Sequence, residues 1–314
     1  MWPNFFIVGG IKCGSTFLYQ YLGQHEEILM SKIKEPSYFS IYGGIQTETI
    51  FSKPKKGFKE RELPKKKSSK FIQISQEDHT KLFESRGNEK IFGEATPHYL
   101  FDESSPKLIH EKCPDAKILI SLRNPIDRCY SWYLSSTRTK VKQKTFEQII
   151  KEYFEKIRSN LKPSTKNTYE NILLPSFYYD SVRRYLELFG KDKIKIIIFE
   201  ECFPNNILNT INEILNFLDI KKIVYDFDMS NTDGYFTPNM KILKLPRNPL
   251  ISKIGRHIPY DIRMPIYKKI RVKDKIRPKI NETERSFLKS VFKSDVMKLE
   301  KLLNKKTIRK DQIP

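Results

Sequence analysis

The chain has 314 residues and carries 58 lysines and arginines against 37 aspartates and glutamates, a formal charge of +21. With 39% hydrophobic and 12% aromatic residues it can bury a core, which excludes a disordered chain; its length admits one large α/β domain or two small ones. Cys13, Cys113, Cys129 and Cys202 form no paired motif, which excludes a disulfide framework and a cysteine-rich zinc site. The charge favours a polyanionic partner over a merely solvated, lysine-rich surface. No apolar run is long enough to cross a bilayer, and no leader-like stretch precedes the first strand. The expectation on that ground is a cytoplasmic protein with no transmembrane segment.

In chain order, Phe5–Val8 is a short apolar run that leads into a glycine-bearing turn, after which Phe17, Leu18, Tyr21 and Leu22 recur at helical spacing. Ile28–Met30 is a strand candidate. Glu35 then precedes Pro36, which disfavours helix and predicts a loop. Residues 43–70 are rich in Gly, Pro and Lys and read as a basic surface excursion. Asp78–Arg86 reads as a short helix capped near Ser75. Ile91–Glu94 and Lys117–Leu122 are strands with a helix, Ser104–Lys112, between them, and a further helix begins just after Pro125. Phe146–Ile157 and Tyr178–Phe189 are amphipathic helices, the second stopped by Gly190. The unbroken run Ile194–Phe199 predicts a strand buried on both faces. Ile207–Leu218 is helical, residues 226–280 are basic and poorly patterned, and Glu284–Leu303 closes the chain as a long amphipathic helix. Strands alternating with helices, with no internal repeat, predict one α/β domain over residues 1–314: a P-loop-like parallel β-sheet flanked by helices on both faces.

Ligands of such sheets lie beyond the carboxyl ends of the strands. Three polar clusters fall there: Lys12–Thr16, Glu94–His98 and Arg123. Gly9, Gly14 and Thr16 nearly fit the phosphate-loop frame, but Ser15 stands where a nucleoside-triphosphatase lysine belongs, and Lys12 lies inside the loop. Cys13 occupies a loop position that needs a small side chain. Arg123 at a strand end is placed to fork onto a second phosphate, with Ser131 eight residues further on. Two separated anion sites suit a ligand with phosphates at both ends of one nucleoside.

The stretch GGIKCGSTFLYQYL resembles the 5′-phosphosulfate loop of the sulfotransferases that use 3′-phosphoadenosine 5′-phosphosulfate (PAPS), and LRNPIDRCYSWY resembles their 3′-phosphate motif. KEPSYF is similar to the segment that holds the acidic base in the heparan-sulfate-type and related bacterial members. IFGEATPHYL and the run from Ser176 to Glu201 also follow that family's course. The resemblance implies sulfuryl transfer from PAPS by in-line attack of an acceptor hydroxyl, expected to be that of a carbohydrate, with no metal; no specific nucleic acid is expected. An anionic glycan is the candidate acceptor partner.

It further implies that Lys12 neutralises charge on the leaving phosphate, while Cys13, Gly14, Ser15 and Thr16 form the 5′-phosphate loop. Arg123 and Ser131 would grip the 3′-phosphate, and Glu35 would take the acceptor proton. Two departures stand out. Ala95 replaces the lysine that heparan-type members carry, and His98 competes with Glu35 as base, as in the small-molecule branch of the family. The basic segment that covers the 3′-phosphate does not align; Lys241, Lys244 and Arg247 are its candidates. Rival classes are a P-loop kinase-like phosphotransferase, which would need Glu200 or Glu201 to hold magnesium, and a non-enzymatic polyanion-binding protein. The latter would interleave aromatics with its lysines, yet Pro54–Lys70 holds only Phe58.

Overall fold

The apolar run after Asn4 becomes the central strand of a five-stranded parallel sheet. The structure is a computed structural model in which residues 1–40, 74–84, 87–137, 144–159, 172–221 and 279–305 are described, with strand fragments at 45–46, 71–72, 236–238 and 271–273. The sheet strands are β1 (Phe5–Ile7), β2 (Ile28–Met30), β3 (Ile91–Ala95), β4 (Lys117–Leu122) and β5 (Ile194–Ile198), in the spatial order β2-β3-β1-β4-β5. Phe5 is registered with Gly93 on one side and Lys117 on the other, so β1 is hydrogen-bonded along both edges. Of the basic stretches 43–70 and 226–280, only fragments fall within the described residues. Ile45–Gln46 pairs antiparallel with Phe71–Ile72, and Phe236–Pro238 with Arg271–Lys273.

The helices are α1 (Ser15–Leu22), α2 (Gln76–Thr80), α3 (Ser105–Lys112), α4 (Pro125–Thr137), α5 (Phe146–Arg158), α6 (Tyr179–Phe189), α7 (Phe199–Cys202), α8 (Ile207–Leu218) and α9 (Glu282–Leu303). Alternation along β1 divides the core. Phe5 and Ile7 pack on one face with Leu18 and Leu22 of α1 and Ile211, Ile214 and Leu218 of α8. Phe6 and Val8 pack on the other with Ile109 of α3, Val182 and Tyr185 of α6, and Leu299 of α9. A third cluster joins Ile126 of α4, Ile150 of α5 and Phe292 of α9. Helices therefore cover both faces, as the sequence predicts.

Local signals explain the boundaries. The Ser75 side chain accepts from Asp78 N at 3.1 Å and starts α2, which gives way to a 3₁₀ turn over Lys81–Phe83, so the single helix expected through Arg86 is shorter and split. Gly190, at φ 74°, ends α6. Thr145 and Asn281 form capping boxes with Gln148 and Glu284 and start α5 and α9. The last strand also departs from expectation. The run Ile194–Phe199 is not buried on both faces: among the described residues β5 is an edge strand paired with β4, Ile194–Ile196 are half-buried, and Phe199 already belongs to α7. An unbroken apolar run records hydrophobicity; it does not reveal whether another strand lies alongside.

The turn after β1 lies directly on β4. Val8 N donates to Leu119 O at 3.0 Å and Gly10 N to Ser121 O at 2.8 Å, continuing the strand pairing past the last residue of β1. A Cβ at Gly9 would stand 2.7 Å from Ser121 Cα and closer still to its amide nitrogen. Backbone cannot yield as a side-chain tip can, so Gly9→Ala should cost about 3 kcal/mol or more. Urea unfolding of the variant beside the parent checks this. A loss below about 1 kcal/mol would mean that β1 and β4 separate easily.

Candidate active site

The phosphate loop closes on itself and on β4. Cys13 N donates to Gly10 O at 3.1 Å, and Ser121 Oγ donates to the Cys13 carbonyl. The Cys13 thiol faces inward, 3.9 Å from Tyr178 Oη, and burial pushes its pKa up to about 12 against the opposing pull of Arg128 and Arg123. Cys13, expected among the phosphate-binding residues, turns its side chain away from the loop surface into the core. Gly14 adopts φ 87° at the N-cap of α1, where Phe199 and Phe203 crowd a would-be Cβ at 3.1–3.3 Å. The helix has no acidic residue in its first turn. The amides of its first turn, from Ser15 and Thr16 onward, have no carbonyl of their own helix to meet and so present donors to an anion. Lys12 precedes them at φ 71°, a left-handed conformation that a non-glycine residue adopts at a cost.

Arg123 follows β4. Its Nη1 donates to the Lys12 carbonyl at 3.1 Å, its Cζ lies 4.4 Å from the centre of the Phe199 ring, and its Nε lies 3.6 Å from Glu200 Oε1. The two anion sites expected to be separate are thus joined by a direct hydrogen bond. Glu200, the acid a magnesium-dependent phosphotransferase would need, also accepts from Asn124 N at 3.1 and 3.2 Å. Burial pushes its pKa up, and Arg123 opposes that shift. Ser131 lies half-buried on α4, two turns beyond Arg123.

Glu35 and His98 meet at the end of β3. Glu35 N donates to Ala95 O at 3.1 Å, so this loop residue hangs on the strand end itself, and Thr96 N donates to Ile7 O at 3.1 Å, tying that end to β1. Glu35, like Lys12, takes a left-handed φ, here 60°, and its carboxylate forms an ion pair with Lys34. His98 keeps a little exposed surface, but its Nε2 is enclosed and has no hydrogen-bond partner. Burial lowers its pKa, opposed by the charges of Glu35, Asp102 and Glu94, while Lys34 adds to the lowering.

Behind the pair, the fully buried Glu94 accepts from Thr96 Oγ1 at 2.8 Å and Tyr99 Oη at 2.7 Å, and lies 2.8 Å from His79 Nε2. Tyr99 Oη accepts from Phe39 N at 3.0 Å, and Ser40 Oγ donates to Asp102. Glu94 is therefore the anchor of the loop that carries Glu35. Sequence reasoning missed this network because His79 lies fifteen residues away from Glu94, with no spacing to link them. It also missed Arg128, a fully buried guanidinium on α4. Trp132, one turn on and 5.1 Å from its Cζ, was the available sign that this arginine turns inward. Lys241, Lys244 and Arg247 lie outside the described residues.

Residues 3–237 match the family model of the sulfotransferase domain. Carbohydrate sulfotransferase 15 of Rattus norvegicus is 24% identical over 255 residues, 69% of this chain and 44% of that protein. Membrane-associated sulfotransferase kil1 of Dictyostelium discoideum is 28% identical over 158 residues, 48% of this chain and 28% of that protein. The chain thus spans less than half the length of these curated relatives. Among solved structures, a sulfotransferase from Alicyclobacillus acidocaldarius superposes with a TM-score of 0.66 at 24% identity, covering 100% of both chains.

These relatives overturn the cytoplasmic expectation, because one of them is named as membrane-associated. That expectation rested on missing apolar segments, and what a partial counterpart lacks does not fix a compartment. Among the described residues, no helix is long and apolar enough to cross a membrane.

The enclosed imidazole makes a pH prediction. With its folded pKa lowered from 6.5, His98 stays neutral where the unfolded chain would bind a proton. Stability from this group is therefore complete above about pH 6.5 and declines as pH falls from there toward the lowered value. The decline is at most about 1.4 kcal/mol per pH unit. His98→Asn should remove this share, so unfolding midpoints of parent and variant should converge between pH 7.5 and pH 5. Parallel curves would mean that His98 titrates alike in both states.

Proposed function

The chain belongs to the sulfotransferase domain family, and from that premise we propose that it transfers a sulfuryl group from PAPS to a carbohydrate hydroxyl, with Glu35 as the general base. One observation carries the assignment of the base. The Glu35 amide is bonded to the Ala95 carbonyl, which puts this carboxylate-bearing loop at the end of β3, next to the strand that feeds the phosphate loop. We read the whole of residues 1–314 as one such domain, since α9 packs in the same cluster as α4 and α5.

The residues present fit a sulfated nucleotide with two phosphate groups. Gly9, Gly10 and Gly14 let the loop pack closely on Ser121, Cys13 and the Phe199 and Phe203 rings, and a helix start free of acids follows the loop. PAPS, when bound, supplies an activated sulfuryl group and a phosphate leaving group. The N–H groups of Gly14, Ser15 and Thr16 would hold the 5′-phosphate, and Lys12 would neutralise charge that grows there as sulfuryl departs. Arg123 and Ser131 would hold the 3′-phosphate, so that Arg123, through the Lys12 carbonyl, carries the presence of that phosphate to the loop. Glu35 would accept the acceptor's proton, since a sugar hydroxyl is a poor nucleophile until its proton can leave. The enclosed, neutral His98 suits a hydrogen-bonding role beside Glu35 better than that of the principal base.

The acceptor class is drawn from the name of the rat relative, a carbohydrate sulfotransferase. The high positive charge is consistent with an acidic glycan.

Adenosine 3′,5′-bisphosphate should raise the melting temperature markedly by binding the native state, and AMP far less. Arg123→Ala should erase that preference; an unchanged preference would remove Arg123 from the 3′-phosphate site. Glu35→Gln keeps the shape and removes the basicity, so turnover should fall roughly 10²–10⁴-fold while bisphosphate binding stays unchanged. His98→Asn should cost much less. The reverse order in steady-state assays would make His98 the base.

A further inference from the structure

Among the described residues, the largest fully buried side chain is a cation with no anion paired to it. Arg128 of α4 is 0% exposed. Its Nε donates to Ser176 Oγ and its Nη2 to the Ile172 carbonyl, its Cζ lies over Trp132, and its Nη1 is buried with no hydrogen-bond partner. Every one of these partners is neutral. The adjacent carboxylate, Asp127, is turned to Arg285 at 2.9 Å, and Arg128 forms no ion pair among the described residues. Guanidinium groups stay charged inside proteins, and a buried charge is strongly unfavourable unless an opposite charge answers it.

The surroundings show where that charge is felt. Ser176, held by Arg128, also donates to the Pro125 carbonyl, and two residues later Tyr178 brings its hydroxyl to 3.9 Å from Cys13 Sγ. The Tyr178 ring is also 3.6 Å from a would-be Cβ at Gly10. Arg128 thus stands behind the floor of the phosphate loop. Of all charges, its charge acts most strongly on the Cys13 thiol. On α4 it also lies three residues before Ser131, and so on a neighbouring part of the helix surface.

We propose that Arg128 is a built-in counter-charge for the phosphates of the bound nucleotide, a positioning residue that acts by its field through the loop floor. The proposal rests on the reading of the site as one for PAPS. A charge fixed by neutral acceptors is oriented before the ligand arrives, and its field is not cancelled by a neighbouring carboxylate. Its effect must grow with the charge of the ligand. A role limited to clamping Ile172 and Ser176 would weaken all nucleotides alike.

Isothermal titration of adenosine 3′,5′-bisphosphate and of AMP into the whole chain separates the two. Arg128→Gln should weaken the bisphosphate about tenfold or more and AMP about threefold or less. Arg128→Lys should keep the preference for the bisphosphate. Should Arg128→Gln fail to fold, the double variant Arg128→Met, Ser176→Ala removes the charge together with its buried polar partner. That exchange is far less disruptive than removing one of the two, and the double variant should show the same selective loss. Equal fold-losses for both nucleotides, or no loss, overturn the counter-charge. If the parent itself does not bind the bisphosphate, the reading of the site as one for PAPS falls too.

Discussion

The site depends on a contact that only glycine permits. Gly9 lies against the backbone of Ser121 with no room for a Cβ, and the Ser121 hydroxyl and carbonyl then hold Cys13 and Gly10. This fixes the phosphate loop to β4. Because Arg123 follows Ser121 by two residues, just past the end of β4, the same contact sets the distance between the loop and that guanidinium. The Arg123 bond to the Lys12 carbonyl follows from it. A looser junction would leave Lys12 and Arg123 on independent supports.

The strain and the charge of the site are arranged around this junction. Lys12 and Glu35 both occupy left-handed backbone conformations, one after β1 and the other hung on the end of β3. Such conformations persist only where neighbouring structure over-determines them. For Glu35 that structure is the Glu94 network with Thr96, Tyr99 and His79, reinforced by Phe39 N on Tyr99. The charges follow the same logic. Glu200 holds Arg123 in place from β5's end, whereas Arg128 meets no carboxylate among the described residues. One arginine is oriented by an acid, and the other keeps its field for a ligand.

Much of this was legible in the residues, and the exceptions have physical reasons. Lys117–Leu122 was read with its true limits because its β-branched and apolar run, broken only by Ser121, stops at the polar residues Arg123 and Asn124. Ser75 and Gly190 marked helix ends because capping is local chemistry. The edge position of β5 was not legible, since neighbouring strands are set by topology. Gly9, Gly14, Lys12 and Arg123 could be gathered because ligands sit at strand ends, a rule of the fold as a whole. Glu94 with His79, and Arg128 with Ser176, could not, because a buried polar network is specified by contacts across 15 and 48 residues. Cys13 was assigned to the ligand on its position in the loop alone; its inward orientation follows from Tyr178, far along the chain.

The account stands on transfer of a sulfuryl group to a sugar hydroxyl. Its most direct test is incubation of the chain with ³⁵S-labelled PAPS and a panel of acidic and neutral glycans beside small phenols, followed by separation of the labelled products. The expected result is label in one or more glycans, lost on acid-catalysed or enzymatic desulfation and independent of added magnesium. Label confined to the phenols, or none in any acceptor while PAPS is bound, would contradict it.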